Sequence, residues 1–334
     1  MATGDPYPVK ALFVLGNNTL LSYANQHQIL KALNNQELIV AHEIFMTPTA
    51  MLADYVLPGD VFTERNHIAD SWSWTNRLTL SQKAVDPPAQ ASSTFKFWTD
   101  LGHRMGFAEH FPWDSLEDLL DYRLSRSNRT FAQFEQTSYM EAPAPKFRKY
   151  RETGFATPSG KVELYSSILA DLNFDPLPYY REGPSPCEEY PYSVFTGVRE
   201  DPFFQTGQRN ISVLRSRCPE PKLYMHPNDV SREGFEEGDW VTLETISGKV
   251  SAKISSQESM KQGHVRVPHG WWYPETRFKA PLSGAFVSSD AVLCSDEDEF
   301  LDYEQGVPHF KGFPGRVIKS SLPEALKTSD IIEK

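Results

Sequence analysis

Two fold classes in succession are predicted for this chain: a partial, doubly wound parallel α/β sheet near its start and an all-β barrel or sandwich in its second half. Three observations carry this. Two near-continuous apolar runs, residues 9–15 (VKALFVL) and 37–41 (ELIVA), flank a helical stretch. A Pro-rich, aperiodic segment at 176–191 (PLPYYREGPSPCEEYP) interrupts the chain. Beyond it come short runs of alternating apolar and polar residues, separated by Gly turns.

The first run has the continuous apolar character of a strand buried on both faces. It ends at Gly16-Asn17-Asn18, a turn cluster. In residues 25–33 (NQHQILKAL), Ile29, Leu30 and Leu33 fall on one helical face. The second strand ends at His42-Glu43. Pro48 suits the start of a short helix reaching Asp54. Tyr55-Val56-Leu57 is a third strand, stopped by Pro58. Strand–helix–strand–helix–strand at this spacing implies parallel strands with right-handed crossovers.

Residues 94–124 have a helical pattern, with Phe97, Leu101 and Met105 four apart and Leu116, Leu119 and Leu120 repeating it. Residues 142–145 (APAP) break the chain, and a Gly-rich segment follows at 154–166. The domain boundary is placed in the Pro-rich segment. The β runs then are 192–195 (YSVF), 222–225 (KLYM), 240–245 (WVTLET), 249–254 (KVSAKI) and 264–267 (HVRV). Turns at Glu237-Gly238-Asp239, Ser247-Gly248 and Gln262-Gly263 separate several of them, and no internal repeat is found. The expected organisation is 1–150 for the partial sheet domain with trailing helices, 151–190 for a connector and linker, and 191–325 for the β domain.

Composition narrows the function classes. The chain has 334 residues, enough for two domains. Apolar residues make up 40% and charged residues 23%, an ordinary globular balance. No apolar run reaches the roughly 18 residues that span a bilayer, so no membrane insertion is expected. Residues 1–10 carry neither a basic n-region nor an apolar h-region, and no targeting peptide is expected there. The net charge of −11 opposes binding to phosphate backbones, so nucleic acid is an unexpected partner. An acidic run at 296–304 (DEDEFLDYE) and a basic one at 209–217 (RNISVLRSR) stand out. The cysteines Cys187, Cys218 and Cys294 are far apart, which argues against a disulfide framework, a zinc site or an iron–sulfur cluster on this chain. The compartment stays open.

Ligands of open parallel sheets bind beyond the carboxyl ends of the strands. Gly16, Asn18, His42 and Glu43 lie there. Exposed amides can meet a phosphate, and a carboxylate can accept the paired N–H groups of guanine. Plain turn chemistry explains the same residues, and both readings stay open. No G-x-G-x-x-G is present, so a nicotinamide site lacks support. In the β domain Thr196-Gly197-Val198-Arg199 follows a strand directly, with Gln205, Thr206, Gln208 and Arg209 close behind. Small residues, amides and arginines in one loop suit a pyrophosphate and a purine or pterin edge, or a polar loop without a ligand. His226-Pro227-Asn228-Asp229 and Glu237-Gly238-Asp239 read as caps and turns rather than metal ligands. His269-Gly270-Trp271-Trp272 offers a stacking platform or, more commonly, aromatic core. No G-x-S-x-G, H-E-x-x-H or Walker motif occurs, so neither a catalytic residue nor a metal ligand is assigned.

The order of these pieces resembles the C-terminal half of a molybdopterin oxidoreductase catalytic subunit of the dimethyl sulfoxide reductase superfamily. The stretches that carry it are VKALFVLGNNTLLSYAN, ELIVAHEIFMTPTAMLADYVLP, the ER of Glu64-Arg65, FATPSGKVELYS, TGVRE, MHPNDVSREGFEEGDWVTLETISGKV and HGWW. The resemblance implies a partial Rossmann-like dinucleotide-binding domain followed by a double-psi β-barrel. It implies bis-(molybdopterin guanine dinucleotide) with Mo or W as cofactor, and no iron–sulfur cluster on this chain. It places Asn18, beside Gly16, against a guanine dinucleotide, His42 and Glu43 at the nucleoside, and Arg65 near phosphate. The loop Thr196, Gly197, Arg199, Phe204, Gln205, Thr206 would wrap pterin and pyrophosphate, and Phe286 and Lys311 would lie toward the other end. Arg199, Arg209 and Arg65 would offset phosphate charge.

Two departures are visible. The barrel loop has Gln205-Thr206 where the family has His-Ser or His-Thr, and the late motif is Ser288-Ser289-Asp290 where the family has asparagines. The family's iron–sulfur segment, metal-ligating residue and other dinucleotide domain are not recognised in these residues. The expectation is therefore the dinucleotide-binding part of an oxidoreductase that carries out two-electron redox of a small substrate in the full enzyme and is inactive alone. Partners would be the N-terminal half or a separate subunit, and an iron–sulfur electron-transfer subunit. The alternatives are a subunit of a split Mo/W enzyme and a non-enzymatic nucleotide- or pterin-binding module. The sheet-edge and barrel loops are expected to face one crevice.

Overall fold

The computed structural model describes residues 1–70, 77–141, 144, 146–276, 281–302 and 305–327. The chain forms two compact units. The first comprises residues 1–41, 45–56 and 167–334, and the second residues 42–44 and 57–166.

The first unit begins with a three-stranded sheet ordered β1 (Ala11–Leu15), β2 (Leu38–Glu43), β3 (Tyr55–Pro58), with the parallel arrangement expected. Ile39, Val40 and Ala41 are all buried, as befits a strand covered on both faces. The connection between β1 and β2 contains α1 (Thr19–Ser22) and α2 (Gln26–Asn34). Asn25 caps α2, its side chain accepting the Gln28 amide at 3.1 Å. Val14, Leu20, Leu21, Leu33 and Ile39 close over Trp272 and Ala285 in one core cluster. The helix expected after Pro48 is a single 3₁₀ turn, Ala50–Leu52.

The rest of the first unit is a closed barrel of six strands with double-psi topology. Its strands are β7 (Tyr192–Val198), β8 (Lys222–Met225), β9 (Trp240–Glu244), β10 (Lys249–Ser256), β11 (His264–Pro268) and β14 (Lys311–Lys319), in the order β10-β8-β11-β7-β14-β9. Strands β12 (Leu301–Asp302) and β13 (Val307–Pro308) form a small antiparallel pair outside it. The pairs β7–β11 and β8–β10 are parallel and the others antiparallel. Alternation sets which side chains fill the barrel: Val194, Val241, Leu243, Val250, Ala252, Ile254, Val265 and Val267 are all buried. Both buried tryptophans of His269-Gly270-Trp271-Trp272 are core, not platform. His226 caps the helix Pro227–Arg232, accepting the Asn228 amide at 3.0 Å.

The second unit contains an antiparallel sheet of β4 (His67–Asp70), β5 (Arg77–Ser81) and β6 (Tyr139–Glu141). Against it pack α4 (Leu116–Leu124) and α5 (Phe131–Thr137), joining Ile68, Leu80, Leu120, Leu124, Phe131 and Phe134 in a core. Capping boxes at Ser115/Asp118 and Thr130/Gln133 start these two helices. The helical pattern at 94–124 is broken: α3 (Thr94–Arg104) ends at Gly106, which adopts φ +86°.

Candidate functional site

The end of β1 supplies the first element. Thr49 accepts the Leu20 amide at 3.0 Å and donates its hydroxyl to Asn18 Oδ1 at 2.7 Å. The atom of Asn18 that faces Thr49 is the amide oxygen, and the –NH₂ end is turned away. Asn18 is buried, and its Nδ2 has no partner among the described residues. A buried donor left unpaired costs about 1–3 kcal/mol, so this is an unusual thing for a turn residue to keep. Next to it, a Cβ on Gly16 would meet nothing within 4 Å, which leaves the main chain open to close approach.

The barrel supplies the second element, the loop following β7. Its backbone is held from behind. Arg209 is fully buried and donates to the carbonyls of Gln205 (2.6 Å) and His269 (2.7 Å). Its guanidinium lies 4.9 Å from the Phe203 ring and 5.2 Å from that of Trp271. Burial, then the charge of Arg215, pushes its pKa down to about 9, so it remains a cation at neutral pH. Trp272 donates its indole N–H to the carbonyl of Thr206 at 2.8 Å. Arg209 is thus a clamp with its charge spent on carbonyls, not a phosphate contact as expected. Arg199 differs. It is exposed, lies 4.4 Å over the Phe204 ring, and has no carboxylate partner among the described residues.

The third element joins the barrel loop to the segment after β11. Asp290 is 1% exposed and accepts three donors: the Gly197 amide (2.9 Å), the Gly270 amide (2.7 Å) and, at 3.1 Å from each oxygen, Nδ1 of His269. Burial lowers the His269 pKa, but the hydrogen bond and charge of Asp290 outweigh it, and the net shift is upward. The Cys294 thiol, beneath Asp290 and Thr196, is held up by burial and stays a thiol. The turn Asp290–Val292 also packs against α1 and α2, so Asn18 and Asp290 lie on adjoining elements.

The other predicted residues are placed as follows. Thr196 turns its hydroxyl inward, to the Phe310 carbonyl at 2.8 Å. Phe286 packs against His27 with the rings tilted by 39° and centroids 4.9 Å apart, and both line an open cavity of about 650 Å³ with Thr242, Ser247 and Lys249. Lys311 begins β14 opposite Phe195 and is exposed. In the second unit, His42 contacts the Ser92 carbonyl through Nε2 at 2.9 Å. Glu43 accepts the Ile44 amide at 2.8 Å. Arg65 pairs with the buried Asp60. Arg65 and Asp60 line a cavity of about 470 Å³ with Lys83, Ser93 and Lys96.

Sequence reasoning did not single out Thr49 or Gln26, and it named Asp290 only as a departure in the late motif. Among the described residues neither end of the fully buried Gln26 amide is bonded, and the buried Ser289 hydroxyl has no partner. The signal for Asp290 was present as a lone carboxylate in an otherwise apolar and small run, residues 284–294. Among the described residues no group of His, Cys, Asp and Glu could hold a metal ion, all three cysteines are free, and no helix is long and apolar enough to cross a membrane.

Residues 3–104 match the family model for molybdopterin oxidoreductases, and residues 194–300 match that for the molydopterin dinucleotide-binding domain. The chain belongs to the molybdopterin oxidoreductases, and its relatives include reductases of dimethyl sulfoxide and trimethylamine N-oxide. It is 40% identical over 321 residues to the acetylene hydratase of Syntrophotalea acetylenica, a match covering 93% of this chain and 44% of that protein. It is 24% identical to the thiosulfate reductase molybdopterin-containing subunit PhsA of Salmonella typhimurium, over 75% of this chain and 36% of that one. With the dopamine dehydroxylase of Eggerthella lenta the identity is 25%, over 82% and 35%. The solved acetylene hydratase of Pelobacter acetylenicus superposes with a TM-score of 0.88 at 39% identity, covering 96% of this chain and 45% of that one. The chain spans less than half the length of each of these relatives.

Proposed function

We propose that the first unit holds a dinucleotide end of a molybdopterin cofactor, with the Gly16–Asn18 turn and the loop from Thr196 to Thr206 as its contacts. The observation that carries this is the amide of Asn18. Thr49 fixes its oxygen, and the buried –NH₂ group has no partner among the described residues at the end of a parallel strand. The open main chain at Gly16 and the exposed Arg199, which has no carboxylate partner among the described residues, suit an anionic nucleotide. Gly197, Phe204 and Gln205 complete the loop, while Thr196 and Arg209 act behind it as scaffold. When bound, such a group supplies two-electron chemistry at its metal. The chain's share is to bind and orient it. The finer reading is bis-(molybdopterin guanine dinucleotide) with Mo or W, with a further chain or segment supplying the metal ligand. That several relatives are named as subunits supports a multi-chain assembly with an electron-transfer partner.

For the whole protein the reading is two-electron redox of a small substrate. A second reading is favoured by the 40% identity with an acetylene hydratase, against 24–26% with the reductases and a formate dehydrogenase. Hydration of a triple bond adds water with no net electron transfer. The test is expression in a host that makes the cofactor, followed by analysis of the purified material for pterin, guanine nucleotide, metal and co-purifying chains. Pterin and guanine nucleotide bound in proportion to the chain are expected. Protein free of both, alone and with any partner chain, would end the proposal. Turnover of acetylene, as against reduction of thiosulfate or an amine oxide, separates the two reactions.

A further inference from the structure

His269 has a constrained ring. Its backbone N–H donates at 2.9 Å to the carbonyl of Val198, the residue before Arg199 where the barrel loop begins. Its Nδ1 is committed to Asp290, and Asp290 is saturated by two further main-chain donors. The carboxylate accepts from both main-chain amides, and Nδ1 faces both of its oxygens, so Nδ1 is the donor of this contact and carries the ring proton. Only Nε2 is left to act, and it has no partner among the described residues. The side chain is 13% exposed, so Nε2 is the one route by which this ring reaches a ligand.

We propose that His269 is a further binding residue of the site, whose imidazolium form donates its Nε2 proton to a phosphate oxygen of the bound diphosphate. This rests on the dinucleotide-binding reading above. Burial cannot explain the arrangement, because a histidine wanted only for packing needs no buried carboxylate behind it. The charged groups acting on the ring are Asp290, from the turn 290–292, and Arg209, from the loop behind. Asp290 favours the protonated ring and Arg209 opposes it, with Asp290 the stronger. The Asp290–imidazolium pair is neutral as a unit, so an incoming anion meets a directed donor without facing a bare carboxylate. Phosphate binding then takes up a proton where the ring is neutral, and affinity falls as pH rises through the pKa of His269.

The test uses the 334-residue chain and GDP-mannose. This guanosine diphosphate diester has phosphates that do not titrate near neutrality. Imidazole ¹⁵N and Asn18 side-chain amide signals are followed during titrations between about pH 6 and about pH 8. The expected result is roughly tenfold weaker binding at the higher pH, and a His269 pKa raised by about one unit on saturation. His269→Gln should flatten the pH profile. Binding that is pH-independent, or that tightens as pH rises and so marks Nε2 as an acceptor, would overturn the proposal. Signals that move at Asn18 but not at His269 overturn it alone. Signals that move at neither overturn the dinucleotide reading as well.

Discussion

Trp272 and Thr206 are joined across 66 residues of sequence by one hydrogen bond, from the indole N–H to a main-chain oxygen, at 2.8 Å. Trp272 is 1% exposed and belongs to the cluster that contains Val14, Leu20 and Leu21 of the sheet. One side chain therefore packs under the β1–α1 turn and fixes the barrel loop. Trp272→Phe keeps most of the buried area but leaves the Thr206 carbonyl unpaired. The expected loss is about 1–3 kcal/mol in urea unfolding. Amide exchange should quicken at residues 204–207 and leave β9 and β10 unchanged. Uniform quickening throughout the barrel would contradict the local role.

Gly270 is the tightest point of the loop. It has φ +60°, and a Cβ there would lie 2.3 Å from Thr206 Cγ2. Gly270→Ala meets two costs, the left-handed backbone at about 1–2 kcal/mol and a steric clash. Thr206→Ser removes the clashing methyl. The double variant should regain the steric part and keep the backbone part, so a double-mutant cycle on the unfolding midpoints should show favourable coupling. Strict additivity would place the clash elsewhere.

These contacts mark the limit of what the sequence discloses. The strands at 192, 222, 240, 249 and 264 were legible because their alternation is set locally by a wet face and a filled interior. Strand β14 was not, because KGFPGRVIK carries Gly312, Pro314 and Gly315 in a segment whose strand character comes from pairing with β7 and β9. The helix expected over 94–124 was interrupted by Gly106 and Pro112, residues that periodicity counting passes over. At the site, Gly16, Asn18 and the barrel loop stood out as turn-rich punctuation after strands. Partners 21 or 31 residues apart, as in His269–Asp290 and Asn18–Thr49, are set by the topology and leave no local pattern. Arg209 was misjudged for the same reason: charge is visible in sequence, but its burial is not.

Among the described residues no carboxylate is bonded to the buried Arg209; its terminal nitrogens donate to the Gln205 and His269 carbonyls, with Gly207 more distant at 3.4 Å, while its Nε has no partner there. Arg209→Met fills similar volume and leaves those carbonyls unpaired. A loss of about 2–5 kcal/mol is expected. Arg209→Lys keeps the charge but cannot reach two directions with a planar fork, and should fall between the two. Equal midpoints for Lys and Met would show that charge contributes nothing there.

The pH dependence of folding has a defined sign at His269. Its pKa is raised in the folded protein, against about 6.5 unfolded. The ring then contributes stability that is fully present below about pH 6.5 and is lost as pH rises through the folded pKa. The difference in unfolding free energy between the wild type and His269→Gln should shrink across that interval and level off above it. A difference that grows with pH would mean the ring is neutral when folded, and Asp290 would not be the dominant influence.

Asn18 sets stability against binding. Thr49 uses only its oxygen, so Asn18→Asp keeps that acceptor while replacing the unpaired N–H donor with a second carboxylate oxygen. Asn18→Leu instead removes the unpaired donor but also the acceptor of the buried Thr49 hydroxyl, so one unpaired group replaces another and the net change in stability should be small, within about 1 kcal/mol. Both variants should lose the contact to a nucleotide acceptor, and the aspartate adds repulsion toward phosphate. Binding of the guanosine diphosphate diester is expected to weaken by about tenfold for leucine, the value of one lost hydrogen bond, and by more for aspartate. Thr49→Val provides the complementary case. It frees the amide to rotate, so binding should weaken while the –NH₂ group is still present. Leucine at 18 that binds as well as asparagine would remove the main support for a nucleotide at the end of β1.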